Sequence, residues 1–212
     1  MSLETYTHMF EPGARERALV LFHGTGDTKE GIARLGRYVA PGAALLALDG
    51  DVSEGGMQRF FRRRAEGVYD MDDLAARTAA LDAFLAAALP EYGIDGAGAA
   101  GLGYSNGANI LANLYLTGRR PFARAVLMHP LIPFDTAPMP DLDGISVLIT
   151  AGRRDPICPA DLTERLAGAL AEAGASVETV WHQGGHEMAE SELAAVRTFL
   201  GPGPGLSPGG AG

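Results

Sequence analysis

Short, nearly continuous apolar runs recur along the chain, and turns or helix-like segments separate them. The runs span residues 18–22, 43–48, 97–102, 125–128, 147–150 and 177–181. They lack the alternation of a half-exposed strand, and this is typical of strands in a parallel sheet that is covered on both faces. The pattern therefore predicts a central sheet of buried strands.

Four segments between or after these runs have the periodicity of amphipathic helices. In the longest, Asp70 can cap the amino end, and Pro90 and Gly93 are expected to end the helix. Its inward stripe consists of Leu74, Thr78, Leu81, Leu85 and Ala88. Further helices are predicted over 106–116, between Pro159 and Gly174, and over 187–200. Strands alternating with helices predict an α/β fold, a mostly parallel sheet with helices on both faces.

The length of 212 residues, or 22.1 kDa, fits a single domain. The chain has neither an internal repeat nor a pattern that indicates a second core. Its last twelve residues, GPGPGLSPGGAG, are too poor in side chains to pack against a core. We therefore predict one folded domain over residues 1–201 and a flexible tail over residues 202–212 that has no function of its own.

Charge and composition restrict the partners. The net charge is −9 and the isoelectric point is near 5.0, so the chain offers no basic surface to a phosphate backbone and nucleic acid is excluded. No apolar run reaches about 18 residues, so membrane insertion is excluded as well. The single Cys158 cannot form an internal disulfide, and the amino end has no signal-peptide pattern. Both observations favour a location in the cytoplasm.

Residues 103–107, GYSNG, match the pattern G-x-S-x-G. They lie between the predicted strand 97–102 and the predicted helix 106–116. At such a strand-to-helix turn a serine hydroxyl projects above the sheet, and the first amides of the helix face the same space. Ser105 is therefore the candidate nucleophile of a hydrolase. The alternative is a tight glycine turn in which the serine only caps the helix.

A glycine-rich loop, HGTGD over residues 23–27, follows the first apolar run. Acyl transfer needs backbone amides that hold the developing oxyanion, and such a loop supplies one while the residue after the serine supplies another. We assign this role to the amides of Thr25 and Asn106. A phosphate-binding loop is the alternative, but neither a P-loop lysine nor the GxGxxG spacing is present. His23 is expected to hold the loop rather than to react.

The acid of a catalytic triad should follow a later strand. Residues 147–150 lead into AGRRDP, which brings Asp155 to the carboxyl edge of the sheet. Asp141 and Asp143 precede the same strand and so lie at its opposite end. Asp161 belongs to the next helix, where a carboxylate in the first turn interacts with the helix dipole. Asp155 is therefore the candidate acid.

The base should follow the last strand, where HQGGH offers His182 and His186. Two glycines before His186 let the loop turn back over the serine, whereas His182 is still attached to the strand. His186 is the preferred base. The two histidines are a poor metal site, because a glycine loop separates them and the only cysteine lies elsewhere. We expect neither a metal nor a cofactor.

The order Ser105, Asp155, His186 along the chain is that of the α/β-hydrolases. The segments GYSNGAN, FHGTGD, GRRDPICP and the GGH that ends at His186 resemble those of the phospholipase/carboxylesterase family, which includes the acyl-protein thioesterases. The stretch GGMQRFFRRRAEGVYDMDDL resembles the segment that precedes the helix before the elbow in its small bacterial carboxylesterases. The resemblance covers nearly the whole chain except the tail.

This resemblance implies an α/β-hydrolase without a cap domain, hydrolysis of a small-molecule ester through an acyl-enzyme, no cofactor, and often a homodimer. It carries the triad over to Ser105, Asp155 and His186. Thioesterases that act on acylated proteins tend to have leucine and glutamine where this chain has Thr25 and Asn106. This difference favours a general carboxylesterase acting on short- to medium-chain esters.

Other functions remain as alternatives. Lysophospholipase or acyl thioesterase activity would use the same residues, because the fold does not fix the substrate. A dienelactone-hydrolase-like enzyme usually has cysteine where this chain has Ser105. A non-catalytic binding module is expected to lack a member of the triad, and none is missing from this sequence.

The acyl pocket is predicted from a segment after residue 48. Met57, Phe60 and Phe61 lie there in a stretch that fits neither a strand nor a good helix, near the carboxyl edge of the sheet. One ring is expected to line the pocket; the alternative is that both anchor the loop to the core. The neighbouring arginines either rim the entrance or form a solvated face. They are Arg59, Arg62, Arg63 and Arg64.

Overall fold

A seven-stranded sheet lies between two layers of helices in the part of the chain that the computed structural model describes, residues 3–135 and 139–201. The strands are β1 (His8–Glu11), β2 (Ala14–Phe22), β3 (Ala43–Leu48), β4 (Val52–Glu54), β5 (Met57–Arg59), β6 (Arg63–Ala65), β7 (Val68–Tyr69), β8 (Ala100–Tyr104), β9 (Arg124–Met128), β10 (Ser146–Gly152) and β11 (Ser176–His182). The α-helices are α1 (Lys29–Val39), α2 (Met71–Glu91), α3 (Asn106–Leu116), α4 (Ala160–Glu172) and α5 (Glu190–Leu200), and a short 3-10 helix covers Leu3–Thr5.

The order of the strands in the central sheet is β1-β3-β2-β8-β9-β10-β11. Strand β1 runs antiparallel to β3, and every other pair of neighbours is parallel. The parallel registers align the carboxyl ends of the strands, so that Tyr104 of β8 and Thr150 of β10 both lie beside Met128 of β9. The loops that follow these strands therefore emerge at one common edge.

Both faces of the sheet are covered, as the apolar runs predict. Successive residues of β2 belong to different cores: Val20 and Phe22 pack on one face, and Leu19 and Leu21 pack on the other. Helices α2, α3 and α4 cover the first face, and α1 and α5 cover the second. A strand buried on both sides needs apolar residues at every position, which explains the absence of alternation in the sequence.

The predicted α/β architecture is confirmed, and the bounds of β3 and α3 agree with the sequence pattern. The other predicted strands are found with ends that differ by one to four residues. Two helix ends are corrected. Helix α2 continues through Pro90 to Glu91, and α5 begins at Glu190 instead of residue 187. The capping interaction of Asp70 is present, because its carboxylate accepts a hydrogen bond from the amide of Asp73 at 3.2 Å.

Helix α1 was not predicted from the pattern. It contains Gly31 and Gly36, and glycine in a helix interior costs about 1 kcal/mol relative to alanine. Tertiary packing compensates, since Ile32, Ala33 and Val39 are buried against β2 and β3. Its amino end is capped by the Thr28 hydroxyl, which accepts from the amide of Gly31 at 3.3 Å.

The connection from β3 to α2 also differs from the prediction. The segment that includes Met57 fits no strand by pattern, yet β4 pairs with β5 and β6 pairs with β7 as two small antiparallel hairpins. Strands of two or three residues are too short to show a period in the sequence. The hairpins hold this segment against the carboxyl edge of the sheet, where Gly26 donates to the carbonyl of Gln58 at 2.9 Å.

In the described parts of the connection from β9 to β10, 129–135 and 139–145, no helix is present. Among the helices that the structure describes, none has both the length and the apolar character needed to cross a membrane. The predicted flexible tail, residues 202–212, lies outside the described residues.

Candidate active site

Five neighbouring strands each deliver one polar residue to the carboxyl edge of the sheet. In the order of the strands across the sheet, β2, β8, β9, β10 and β11 are followed by Thr25, Ser105, His129, Asp155 and His186. Residues that are far apart in the sequence therefore become neighbours because their strands are neighbours. The structure brings together the three residues predicted as nucleophile, acid and base.

Ser105 lies at a sharp turn between β8 and α3. Its φ of 51° is positive, which a side-chain-bearing residue adopts at a cost of about 1–3 kcal/mol. A β-carbon at Gly103 would come within 2.5 Å of the backbone of Ala108, and one at Gly107 would overlap the carbonyl of Phe22. The two glycines of the motif thus allow the strand and the helix to approach each other, with Ser105 held at the apex.

A continuous chain of hydrogen bonds joins the three predicted residues. The Ser105 hydroxyl lies 2.9 Å from Nε2 of His186, and Nδ1 of His186 lies 2.7 Å from Oδ2 of Asp155. These distances are those expected of a nucleophile, its general base and the group that orients the base. The Tyr104 hydroxyl donates to the carbonyl of His186 at 2.6 Å and so fixes the loop.

Asp155 accepts four hydrogen bonds. Its Oδ1 receives the amides of Ile157 at 2.8 Å and Cys158 at 2.9 Å, and its Oδ2 receives His186 and, at 2.9 Å, His129. Burial opposes the charged form of Asp155, but these hydrogen bonds outweigh burial and hold its pKa below the ordinary value of an aspartate. Asp155 is therefore an anion across the neutral pH range.

The two residues predicted to form the oxyanion hole lie at the same cavity as Ser105. Thr25 is held by its hydroxyl, which accepts from the Arg59 guanidinium at 2.8 Å. The Asn106 side-chain oxygen accepts from the amide of Phe60 at 2.7 Å. Asn106 is also the first residue of α3, whose free amides and dipole favour negative charge. The assignment of both amides to an oxyanion hole stays a prediction.

The cavity at Ser105 has a volume of about 370 Å³ and is lined by both polar and apolar side chains. Arg59, Arg63 and Glu66 form part of its wall, and Leu131 and Ile157 form another part. A smaller cavity of about 210 Å³ lies at the opposite edge of the sheet and contains no residue of the triad. Of these two cavities, the first is the one that Ser105 lines.

The prediction for the acyl pocket is corrected for two of its three residues. Met57 lines the cavity and is 44% exposed, but Phe60 and Phe61 are fully buried and do not line it. The ring of Phe60 packs edge-on against Phe22 at 5.7 Å, and that of Phe61 packs behind Tyr69 at 4.8 Å. Sequence shows that adjacent phenylalanines need burial, but not into which space they point.

Phe60→Ala is therefore expected to destabilise the protein without changing its substrate profile. Truncation of a fully buried phenylalanine costs about 3–5 kcal/mol, because it leaves a cavity in the core. Denaturant unfolding measures this loss, and the relative rates for esters of increasing chain length test the profile. A changed chain-length optimum with little loss of stability would place Phe60 in the pocket after all.

His23 holds the loop after β2, as expected from its position. Its Nε2 accepts from the amide of Gly50 at 2.9 Å, and Nδ1 lies 2.6 Å from the carbonyl of Gly24. Burial lowers the pKa of His23, so its ring is neutral. His182, the competing base, does not contact Ser105; it is buried beside Glu192, with 3.3 Å between Nε2 and Oε2.

Two residues beside the predicted triad were missed by sequence reasoning. His129 directly follows β9 and lies between the carboxylates of Asp155 and Glu192, and Glu192 belongs to α5. For His129 a signal existed, because a polar residue directly after a buried strand falls at the carboxyl edge. The sequence contained no such signal for Glu192, because a glutamate in the first turn of a helix is ordinarily exposed.

Three known proteins are similar to this chain over nearly its whole length. A protein of Bacillus subtilis (strain 168) named "Putative hydrolase MhqD" is 38% identical over 192 residues, which are 91% of this chain and 96% of that protein. The crystal structure of the Bacillus cereus carboxylesterase is similar with a TM-score of 0.88 and 38% identity, covering 92% of this chain and 93% of that one. The structure of a protein of unknown function from Agrobacterium tumefaciens str. C58 is similar with a TM-score of 0.86 and 47% identity, covering 94% of this chain and 98% of that one. No family model matches the sequence.

Proposed function

Since the chain belongs to the phospholipase/carboxylesterase family of α/β-hydrolases, an enzyme family that hydrolyses esters, we propose that it is a serine carboxylesterase for short- to medium-chain esters. The observation that carries the proposal is the continuous hydrogen-bonded chain from the Ser105 hydroxyl through His186 to Asp155, at 2.9 and 2.7 Å. Ser105 also lies at the apex of a strained turn and faces a cavity of suitable size.

The proposed reaction proceeds through an acyl-enzyme. Ser105 Oγ attacks the ester carbonyl while Nε2 of His186 takes its proton, and Asp155 fixes the ring and stabilises the imidazolium. The amides of Thr25 and Asn106 hold the oxyanion of the tetrahedral intermediate. His186 then gives its proton to the leaving alcohol. Water attacks the acyl group in the same way and releases the acid.

The dimensions and lining of the cavity favour small substrates. Its volume of about 370 Å³ is at the lower end of the range for ligand sites. Charged side chains of Arg59, Arg63 and Glu66 contribute to the wall, and burying a long alkyl chain against them would desolvate charge at a cost. The described parts of the connection from β9 to β10 contain no helix that could cover the site.

We therefore expect hydrolysis of soluble p-nitrophenyl esters with an optimum at short to medium acyl chains, and no interfacial activation. kcat/KM should fall as the acyl chain outgrows the cavity, because the additional methylenes stay exposed to water. The measurement is kcat/KM for p-nitrophenyl esters from acetate to palmitate. For the longer esters, the rate is also followed as the substrate concentration passes the micellar concentration. A sharp rise in rate at that concentration would contradict an uncovered site.

An acyl thioester of matched chain length is the useful comparison within the same series. The triad acts on both leaving groups, so the ratio of kcat/KM values distinguishes a carboxylesterase from an acyl thioesterase.

Two further expectations stay predictions: location in the cytoplasm and assembly as a homodimer. Light scattering of the purified protein measures the second.

A further inference from the structure

A cluster of ionisable side chains lies behind the proposed triad, away from the cavity. Asp155, His129 and Glu192 have no exposed side-chain surface, and they follow one another in a line. Nδ1 of His129 forms a hydrogen bond of 2.9 Å with Oδ2 of Asp155, and Nε2 lies 3.0 Å from Oε1 of Glu192 in an ion-pair contact that lacks hydrogen-bond geometry. Each nitrogen of one buried ring therefore faces a carboxylate.

The number of protons on the His129 ring follows from this geometry. A neutral imidazole has one N–H group and would direct the lone pair of its other nitrogen at a carboxylate oxygen. The imidazolium form donates a hydrogen bond to Asp155 and places its second N–H group in an ion-pair contact with Glu192. Burying two carboxylates without a cation is costly, and among the described residues neither Asp155 nor Glu192 forms an ion pair with a lysine or arginine.

His182 cannot supply the missing charge, nor can it join His129 and Glu192 in binding a metal ion. Its Nδ1 accepts a hydrogen bond from the amide of Gly184 at 3.0 Å, so the ring proton is on Nε2. That nitrogen lies 3.3 Å from Oε2 of Glu192, without hydrogen-bond geometry. A metal ligand needs a free lone pair at this nitrogen, so His182 does not complete a metal centre with His129 and Glu192.

We propose that His129 is a permanent buried imidazolium whose charge Glu192 stabilises. This imidazolium positions Asp155 and weakens the attraction between the Asp155 carboxylate and the proton on Nδ1 of His186. The role in catalysis rests on the proposed esterase function; the charge state does not. The two histidine rings are 5.1 Å apart, so a positive charge on His129 disfavours a second one on His186.

The groups around His129 agree with this charge. Burial disfavours the charged ring, but Glu192 and Asp155 outweigh burial and raise the pKa of His129. Burial likewise opposes ionisation of Glu192, but the contact with His129 and the hydrogen bond from the Ala189 amide outweigh burial and lower its pKa. The ionisable groups that face the ring or its backbone from the surrounding elements are Tyr104, Asp155, Cys158, His182, His186 and Glu192.

The direct test is nitrogen NMR of the full-length protein labelled at histidine. His129 should show two protonated ring nitrogens at pH 8, where an ordinary histidine is neutral. The resonance is assigned by its loss in His129→Asn, which suits a position with a φ of 51° because asparagine tolerates positive φ. A His129 ring with one proton at pH 7 would overturn the proposal, whether or not the protein hydrolyses esters.

The pH dependence of kcat/KM tests the effect on the base. In His129→Asn the acid limb should move up by on the order of one pH unit, because Asp155 then stabilises the imidazolium of His186 without competition. Glu192→Gln, which removes the charge that holds the His129 proton, should move the limb in the same direction by less. Asp161→Asn, on the exposed start of α4, is the matched control. An acid limb in His129→Asn that coincides with that of the wild type would overturn the positioning role.

Discussion

Replacement of Ser105 by alanine is expected to lower kcat for p-nitrophenyl acetate by about 10⁴- to 10⁶-fold, by analogy with triad replacements in other serine hydrolases. In the proposed reaction His186 activates Ser105 through the 2.9 Å contact between Nε2 and the Ser105 hydroxyl, and Ser105 lines the cavity. Removal of Oγ leaves the oxyanion amides and the cavity in place, so substrate binding should be retained.

The fold of Ser105→Ala should stay intact, because alanine meets the same backbone constraint as serine at this turn. Thermal unfolding and circular dichroism check this point. Turnover near the wild-type rate in a correctly folded Ser105→Ala protein would refute the assignment of the nucleophile and with it the proposed reaction.

The second large effect is expected at the acid. Asp155→Asn should lower kcat by about 10⁴-fold, because an amide cannot enforce the imidazole tautomer that the serine requires. In this protein the replacement has a further cost, because Oδ2 of Asp155 accepts hydrogen bonds from both His186 and His129. If the asparagine places its NH₂ group at this position, that group faces the two ring N–H donors and cannot accept from them. Asp161→Asn is the control and should keep most of the activity.

The assignment of the base is tested by comparing the replacement of His186 with the replacement of the nearby His182. His186→Ala should be as impaired as Ser105→Ala, whereas His182→Ala should stay within about tenfold of the wild type, because triad members act as a unit and His182 does not contact Ser105. Steady-state rates of the two variants decide between them. An inactive His182→Ala beside an active His186→Ala would mean that the loop after β11 adopts another arrangement in the working enzyme.

The sheet and the meeting of Ser105, Asp155 and His186 could be predicted because both depend on local signals. A strand that is buried on both faces leaves a continuous apolar run, and a polar residue just after such a run must lie at the carboxyl edge. The G-x-S-x-G pattern adds a steric requirement that Gly103 and Gly107 satisfy in the structure. None of these inferences needs knowledge of distant contacts.

The remaining features depend on tertiary contacts that local patterns do not encode. Helix α1 is stabilised by packing on β2 and β3 despite its two interior glycines. Phe60 and Phe61 are apolar by sequence, yet the chain that leaves the β4–β5 hairpin buries both in the core instead of the cavity. Glu192 approaches His129 across 63 residues of sequence, a pairing that neither residue's neighbours predict.

Covalent labelling with a fluorophosphonate probe, followed by peptide mass spectrometry, tests most directly whether Ser105 is an activated nucleophile. The probe reacts with a serine only where a general base and an oxyanion site assist the attack. We expect one adduct per chain, on the peptide that contains Ser105, at a rate that falls severely in His186→Ala. Absence of an adduct from the folded wild-type protein, or an adduct on another serine that persists in Ser105→Ala, would contradict the proposed mechanism.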